Sequence, residues 1–185
     1  MRLPEFDEAI LTPEQQEVYG RIKSGPRGVV VGPLQVWLTS PELAQRAQEL
    51  GAFCRYHTTL SPRLSELAIL VTGAHWRAGF EWATHAPIGL QAGLQPSLLE
   101  AVRQGRRPEE MTDEEAAVHD FAKELQQAKF ISAETYDRAE RVLGRPALVE
   151  LVGILGYYTL ISMTINAFEV PLPRGAEDPF REKQA

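Results

Sequence analysis

Along this 185-residue chain one arrangement of polar and apolar positions recurs: a polar capping residue, a proline, then apolar residues every three or four positions. Thr12-Pro13, Ser40-Pro41 and Ser61-Pro62 each open such a segment. A side-chain oxygen at the cap can accept an unpaired amide of the first turn, and proline is tolerated at the first helical position because its missing donor has no partner there. Thr112 followed by Glu115 has the spacing of a capping box, and Gln95-Pro96, Ser132 and Arg145-Pro146 mark three more starts. Seven or eight helices are expected. The first runs from Pro13 to about Lys23 and stops in Ser24-Gly25-Pro26. A loop with Val29-Val30-Val31 and a short apolar piece from Leu34 to Leu38 lead to a helix from Pro41 to about Tyr56.

The helix from Pro62 places Leu64, Leu67, Ala68 and Val71 on one face, and Ile69 and Leu70 widen that face until it is nearly all round. Such a helix belongs at the centre of a bundle. A helix from around Ala78 to Ala92 meets Gly93, a good left-handed terminator; the next spans Pro96 to Gln104 and runs into the turn Gly105-Arg106-Arg107-Pro108. From Asp113, a stripe of Val118, Phe121, Ala122 and Leu125 lies opposite Glu114, His119, Lys123 and Gln126, which predicts a surface helix with one buried face.

Pro146 to Phe168 is rich in residues that favour strands, yet its length and the lack of a partner strand favour a helix. The uncharged run Leu151 to Phe168 reaches membrane-spanning length. It carries Gly153, Gly156, Thr159, Ser162, Thr164 and Asn166 between Glu150 and Glu169, so a buried core helix is the expectation, with no membrane partner. Each glycine costs about 1 kcal/mol in a helix relative to alanine, which predicts close approach of another helix at Gly153 and Gly156. The whole reads as an all-α bundle over residues 1–170, followed by an extended arm or tail over 171–185.

Lys+Arg 19 against Asp+Glu 25 gives a net charge of −6. Without a basic block this argues against nucleic acid as a partner. The single cysteine, Cys54, rules out an intramolecular disulfide, a thiolate-rich metal site and a two-cysteine redox cycle within one chain, and it suits a reducing cytoplasm. The first eight residues are acidic and lack the basic-then-apolar order of a secretory signal, so a chain starting near Met1 and a cytoplasmic location are expected.

Candidate chemistry concentrates between Glu66 and Pro87. Glu81 and His85 are four apart, so their side chains can meet on one helix face. Glu66 is a carboxylate on an otherwise apolar helix; it must find a partner or hold its proton, the condition of a general acid or base. A backbone amide or Arg63 would satisfy it without any reaction. Pro87 removes the amide that would bond the Ala83 carbonyl and predicts a kink beside His85. Spacing alone does not decide function, since Glu115 and His119 share it on the surface helix. Arg77 reads either as a carboxylate holder or as a solvent-facing residue, and Trp76, Phe80 and Trp82 either as a pocket wall or as packing.

The order Pro62-Arg63-Leu64-x-Glu66-Leu67-Ala68-Ile69-Leu70, then Phe80-Glu81-Trp82-x-x-His85, then a glycine before a short helix, resembles the carboxymuconolactone decarboxylase superfamily, which includes the alkylhydroperoxidase D-like proteins. The resemblance runs from about Leu34 to Phe168. It implies an all-helical, oligomeric fold, with dimers, trimers and hexamers known. The peroxidase branch carries Glu-x11-Cys-x2-Cys-x3-His; in that register the cysteine positions fall on Ala78 and Glu81, and the histidine on His85. Peroxide reduction of this kind needs an attacking thiolate and a resolving thiol. Neither is present, and Cys54, off the motif, reads as a small buried apolar residue.

The decarboxylase branch is what remains. It implies a small lactone or carbonyl acid as substrate, with Glu66, Glu81 and His85 as catalytic residues and no metal or other cofactor. His85 would give and take the proton, since its ordinary pKa near 6.5 suits both roles; Glu81 would orient it and Glu66 would relay or accept a proton. Two alternatives stand beside this reading. One is a metal site of Glu66, Glu81 and His85 with His75 or His57; the other is a non-catalytic accessory protein that has lost its redox centre. Subunits of a homo-oligomer are expected to share the last apolar helix.

Overall fold

Each capped start opens a helix in the computed structural model, which describes residues 2–4 and 6–181. The helices are α1 (Pro13–Ser24), α2 (Pro33–Trp37), α3 (Pro41–Tyr56), α4 (Pro62–His75), α5 (Gly79–Gln91), α6 (Pro96–Arg103), α7 (Asp113–Ala128), α8 (Ala133–Leu143) and α9 (Arg145–Phe168), preceded by a 3-10 turn at Glu8–Ile10. The fold is all-α among the described residues. The count exceeds the expected seven or eight because the short apolar piece after Gly32 closes into α2. Thr12 and Thr112 form reciprocal capping boxes, while Ser61 and Ser132 accept amides from Leu64 and Thr135. Ser40 makes no side-chain cap bond, and α3 starts on Pro41 without one.

Two helices form the axis. In α4 ten consecutive residues, Leu64 to Gly73, are buried, because α5, α6, α7 and α9 surround it. α9 packs on α2, α3, α4, α5 and α8. It is long and apolar enough to cross a membrane, but 56% of its most apolar window is buried inside the chain, so it sits as a core helix. Its inner face carries Leu151, Ile154, Leu155, Tyr158, Ile161 and Ile165, and burial of each aliphatic side chain contributes about 1.5–3 kcal/mol.

Two expectations are corrected. α7 is not a surface helix: it lies between α4 and α8, so Glu115, His119 and Gln126 are buried along with the apolar stripe. At Gly153 the Cys54 sulfur is the neighbour, 4.0 Å from where a Cβ would stand, whereas a Cβ at Gly156 would meet nothing within 4 Å. Gly156 therefore faces outward, with no helix of this chain against it. α5 continues through Pro87 to Gln91 and ends where Gly93 takes φ +100° and Leu94 returns its amide to the Gly89 carbonyl. Residues 171–181 contain no helix or strand. They fold back against the α4–α5 turn and the end of α6, where Arg77 and Arg103 donate to the Phe180 and Pro179 carbonyls. Residues 182–185, the far end of the expected arm, lie outside the described residues.

Candidate functional site

α4 and α5 form a helical hairpin that can close tightly because small residues face the functional ones. A Cβ at Gly73 would touch Glu81 at 3.8 Å, and one at Gly89 would touch Glu66 at 3.8 Å. Between these two points the chain brings its three sequence-predicted site residues together. The Glu66 carboxylate reaches His85 Nδ1 at 2.7 Å, and the Glu81 carboxylate, one helical turn before His85, reaches Nε2 at 2.9 Å. Glu66, Glu81 and His85 are only 5%, 4% and 3% exposed. Tyr158 of α9 closes a further side, its ring 5.4 Å from the imidazole and nearly perpendicular to it.

Electrostatics follow from this arrangement. Burial by itself favours the neutral ring, but the Glu81 charge and the hydrogen bonds that the ring donates to both carboxylates reverse that preference and push the His85 pKa up to about 9. An imidazolium can donate from both nitrogens; a neutral ring would present a lone pair to one carboxylate. At neutral pH the site therefore holds a proton between two acceptors. Burial, then the Glu81 charge, raises the Tyr158 phenol well above its ordinary value, so its hydroxyl stays protonated.

The alternatives for each residue are resolved by where competing partners go. Arg63 is occupied by Glu115 at 3.1 Å and Glu114 at 3.3 Å, leaving Glu66 to His85. Glu115 and His119, with the same spacing as Glu81 and His85, do not pair. Glu115 binds Arg63 and the Thr112 amide, and His119 turns to Asp120 at 2.9 Å, whose carboxylate also holds Arg107 and Arg138. A metal fits the site poorly: the two carboxylates approach opposite nitrogens and do not converge on one point. Among the described residues no group of three or more metal-binding side chains is arranged for an ion, and His57 and His75 are exposed at helix ends.

Cys54 is fully buried on α3, with its thiol pushed up to about 11 by burial; a protonated thiol is a poor nucleophile. The three aromatics of the motif region pack in separate places. Phe80 sits where a Gly32 Cβ would be, Trp76 meets His75 at 6.0 Å and Trp82 meets Phe180 at 5.7 Å. The residue that sequence reasoning missed is Tyr158, which lies in an aliphatic stripe and reads as core. Its signal was the phenol itself, a polar group in a helix face otherwise made of Ile and Leu.

No family model matches the chain, and no curated protein matches it. Solved structures do. An uncharacterized peroxidase-related protein from Silicibacter sp. TM1040 superposes with TM-score 0.76 at 15% identity, over 94% of this chain and 91% of that one. An uncharacterized peroxidase-related protein from Ralstonia eutropha JMP134, described as an alkylhydroperoxidase AhpD core, gives 0.77 at 13% identity, over 94% and 92%. The debrominase Bmp8, in complex with 2,3,4-tribromopyrrole, gives 0.73 at 13% identity, over 91% and 90%. At these identities the likeness shows the fold, which is alkylhydroperoxidase D-like over nearly the whole chain.

Proposed function

We propose that Glu66, His85 and Glu81 form a proton-transfer centre for a small lactone or carbonyl acid, working without a metal or redox cofactor in a cytoplasmic homo-oligomer. One observation carries this reading: a buried imidazole held between two carboxylates at 2.7 and 2.9 Å. Such a group is charged at neutral pH and can deliver a proton on one side while being restored on the other. In a decarboxylation, the bond between the substrate carboxylate and its neighbouring carbon breaks, and CO2 leaves. The electron pair delocalises onto the lactone or keto carbonyl, and His85 then places its proton on the carbon. Overall one carboxylate and one proton become CO2 and a C–H bond, and the replacement proton, taken from solvent, reaches the ring through Glu66 or Glu81. The debrominase neighbour, solved with a small ring compound, is consistent with a compact organic ligand on this fold.

The burial of all three side chains supports a second reading, in which the triad pins α4 to α5 in a non-catalytic accessory protein. The two separate in one experiment. Wild type and His85→Asn are incubated with a panel of small lactone and β-keto acids in D2O, and CO2 release and deuterium uptake are followed by NMR. Turnover that disappears in His85→Asn while thermal unfolding stays cooperative supports proton transfer. Absence of turnover and exchange across the panel, with a large loss of stability in His85→Asn, supports the pinning role instead.

A further inference from the structure

A second feature lies outside the triad, where the returning arm meets the α4–α5 turn. Arg77 stands in this turn at φ +50°, the left-handed position that closes α4, with the Ala78 amide bonded to the Gly73 carbonyl. Glycine is the ordinary choice there. Lys129 and Glu169 end α7 and α9 in the same left-handed region, so what distinguishes Arg77 is where its side chain goes. Arg77 donates to the Phe180 carbonyl at 2.5 Å, and Arg103, from the last turn of α6, donates to the adjacent Pro179 carbonyl at 2.6 Å. Two guanidinium groups thus converge on two neighbouring oxygens. Glu100 also binds Arg103 at 2.6 Å, whereas Arg77 donates to a neutral backbone oxygen.

The arm that supplies these oxygens is held by a few side-chain contacts and contains no helix or strand. The Phe180 ring rests on Trp82 at 5.7 Å and beneath the Arg77 guanidinium at 5.8 Å, and Leu172 and Asp178 lie against Gly79, where a Cβ would stand 3.1 and 3.3 Å from them. Around these contacts a cleft of about 1090 Å³ stays open, bordered by Arg77, Arg103, Gln104, Leu172 and Phe180. Of its borders, Arg77, Arg103 and Gln104 belong to the bundle, while Leu172, Glu177, Asp178 and Phe180 belong to the arm and would leave with it.

We propose that the surface beneath the arm binds a small organic carboxylate, with Arg77 and Arg103 holding its two oxygens in place of the Pro179 and Phe180 carbonyls, and the arm acting as an internal competitor that lifts when the acid binds. A charged acceptor forms stronger hydrogen bonds to guanidinium than a backbone carbonyl does, so the exchange favours the ligand. Apolar contact to the face of Trp82 uncovered by Phe180 suits an acid with a short hydrocarbon body. Trp82 follows Glu81 on α5, which places the cleft beside the helix that carries His85. Binding here does not depend on proton chemistry at His85.

The test uses succinate as the probe and sulfate at matched ionic strength as the comparison anion, with affinities from calorimetry. Protein labelled with 5-fluorotryptophan reports arm position through the Trp82 resonance, identified by its loss in Trp82→Phe. Saturable succinate binding that shifts the Trp82 resonance is expected. Arg77→Gln and Arg103→Gln should each weaken binding about tenfold or more, and Phe180→Ala should tighten it because the competitor is weakened. No saturable binding by wild type and Phe180→Ala, unchanged affinity in both arginine variants, binding without a Trp82 shift, or sulfate bound as tightly as succinate would each overturn the proposal.

Discussion

His85 is held in its charged form by its neighbours, and this links its proton to the stability of the fold. Its pKa in the folded chain is about 9, against an ordinary 6.5. A raised value stabilises the fold fully below pH 6.5, and that contribution is lost as pH rises through 9. The displacement corresponds to about 3 kcal/mol. Thermal unfolding between pH 6 and pH 9.5 is therefore expected to show a decline in wild type that His85→Asn lacks; equal slopes in the two proteins would refute it. Glu66→Gln and Glu81→Gln each remove one of the charges that raise the pKa, so an imidazole titration followed by NMR should move toward neutral pH in both, most in Glu81→Gln. Much of this site was legible from residues. The Glu81–His85 contact follows from a spacing of four, and an acid on the all-apolar α4 announced a partner. What spacing could not settle was which of two identical pairs would meet. Glu115 is drawn off by Arg63, and His119 by an aspartate that also holds two arginines; those are tertiary facts.

Helix beginnings were readable because a cap and a proline act within a few residues, and all the marked starts are real. Faces were harder to read, because they depend on what the rest of the bundle lays against them. α7 shows this: it is covered by α4 on one side and α8 on the other, and buried Glu115 and His119 pair with Arg63 of α4 and with neighbouring Asp120, partners that the apolar stripe does not forecast. α3 shows a second case. Gly51 lies where α3 meets α9, and a Cβ there would fall 2.0 Å from the Tyr157 hydroxyl and 2.4 Å from an Arg27 nitrogen that also donates to this hydroxyl at 3.2 Å. From sequence it was an unremarked glycine in a helix. Gly51→Ala would normally gain about 1 kcal/mol in helix propensity. Here the added methyl must displace a phenol that is largely buried, and a net destabilisation of about 1–3 kcal/mol is expected. Urea unfolding measures it; a Gly51→Ala variant as stable as wild type or more so would show that Arg27 and Tyr157 move aside freely.

At the scale of the whole molecule, α9 has two faces with different tasks. The inner one brings Tyr158 against His85; the outer one exposes Val149 at 70%, Val152 at 46%, Leu160 at 38% and Met163 at 50%, with open Gly156 among them. These positions recur every three or four residues, the spacing of a helix seam. A continuous apolar stripe on an exposed helix face marks a contact surface, and a glycine in its middle lets another helix come close. A second copy of the chain, packed along α9, is the occupant that the oligomeric resemblance implies, and it would cover the helix whose opposite side borders the triad. Replacing Val152 and Met163 together by Glu places two charges in that seam without touching the buried face, so the monomer's helical content should be unchanged. Size-exclusion chromatography with light scattering is expected to give an oligomer for wild type and a monomer for Val152→Glu/Met163→Glu, with matching circular dichroism. A monomeric wild type, or a double variant of undiminished mass, would place the oligomer contact elsewhere or remove it, and would leave α9 simply as a core helix with an apolar outer edge.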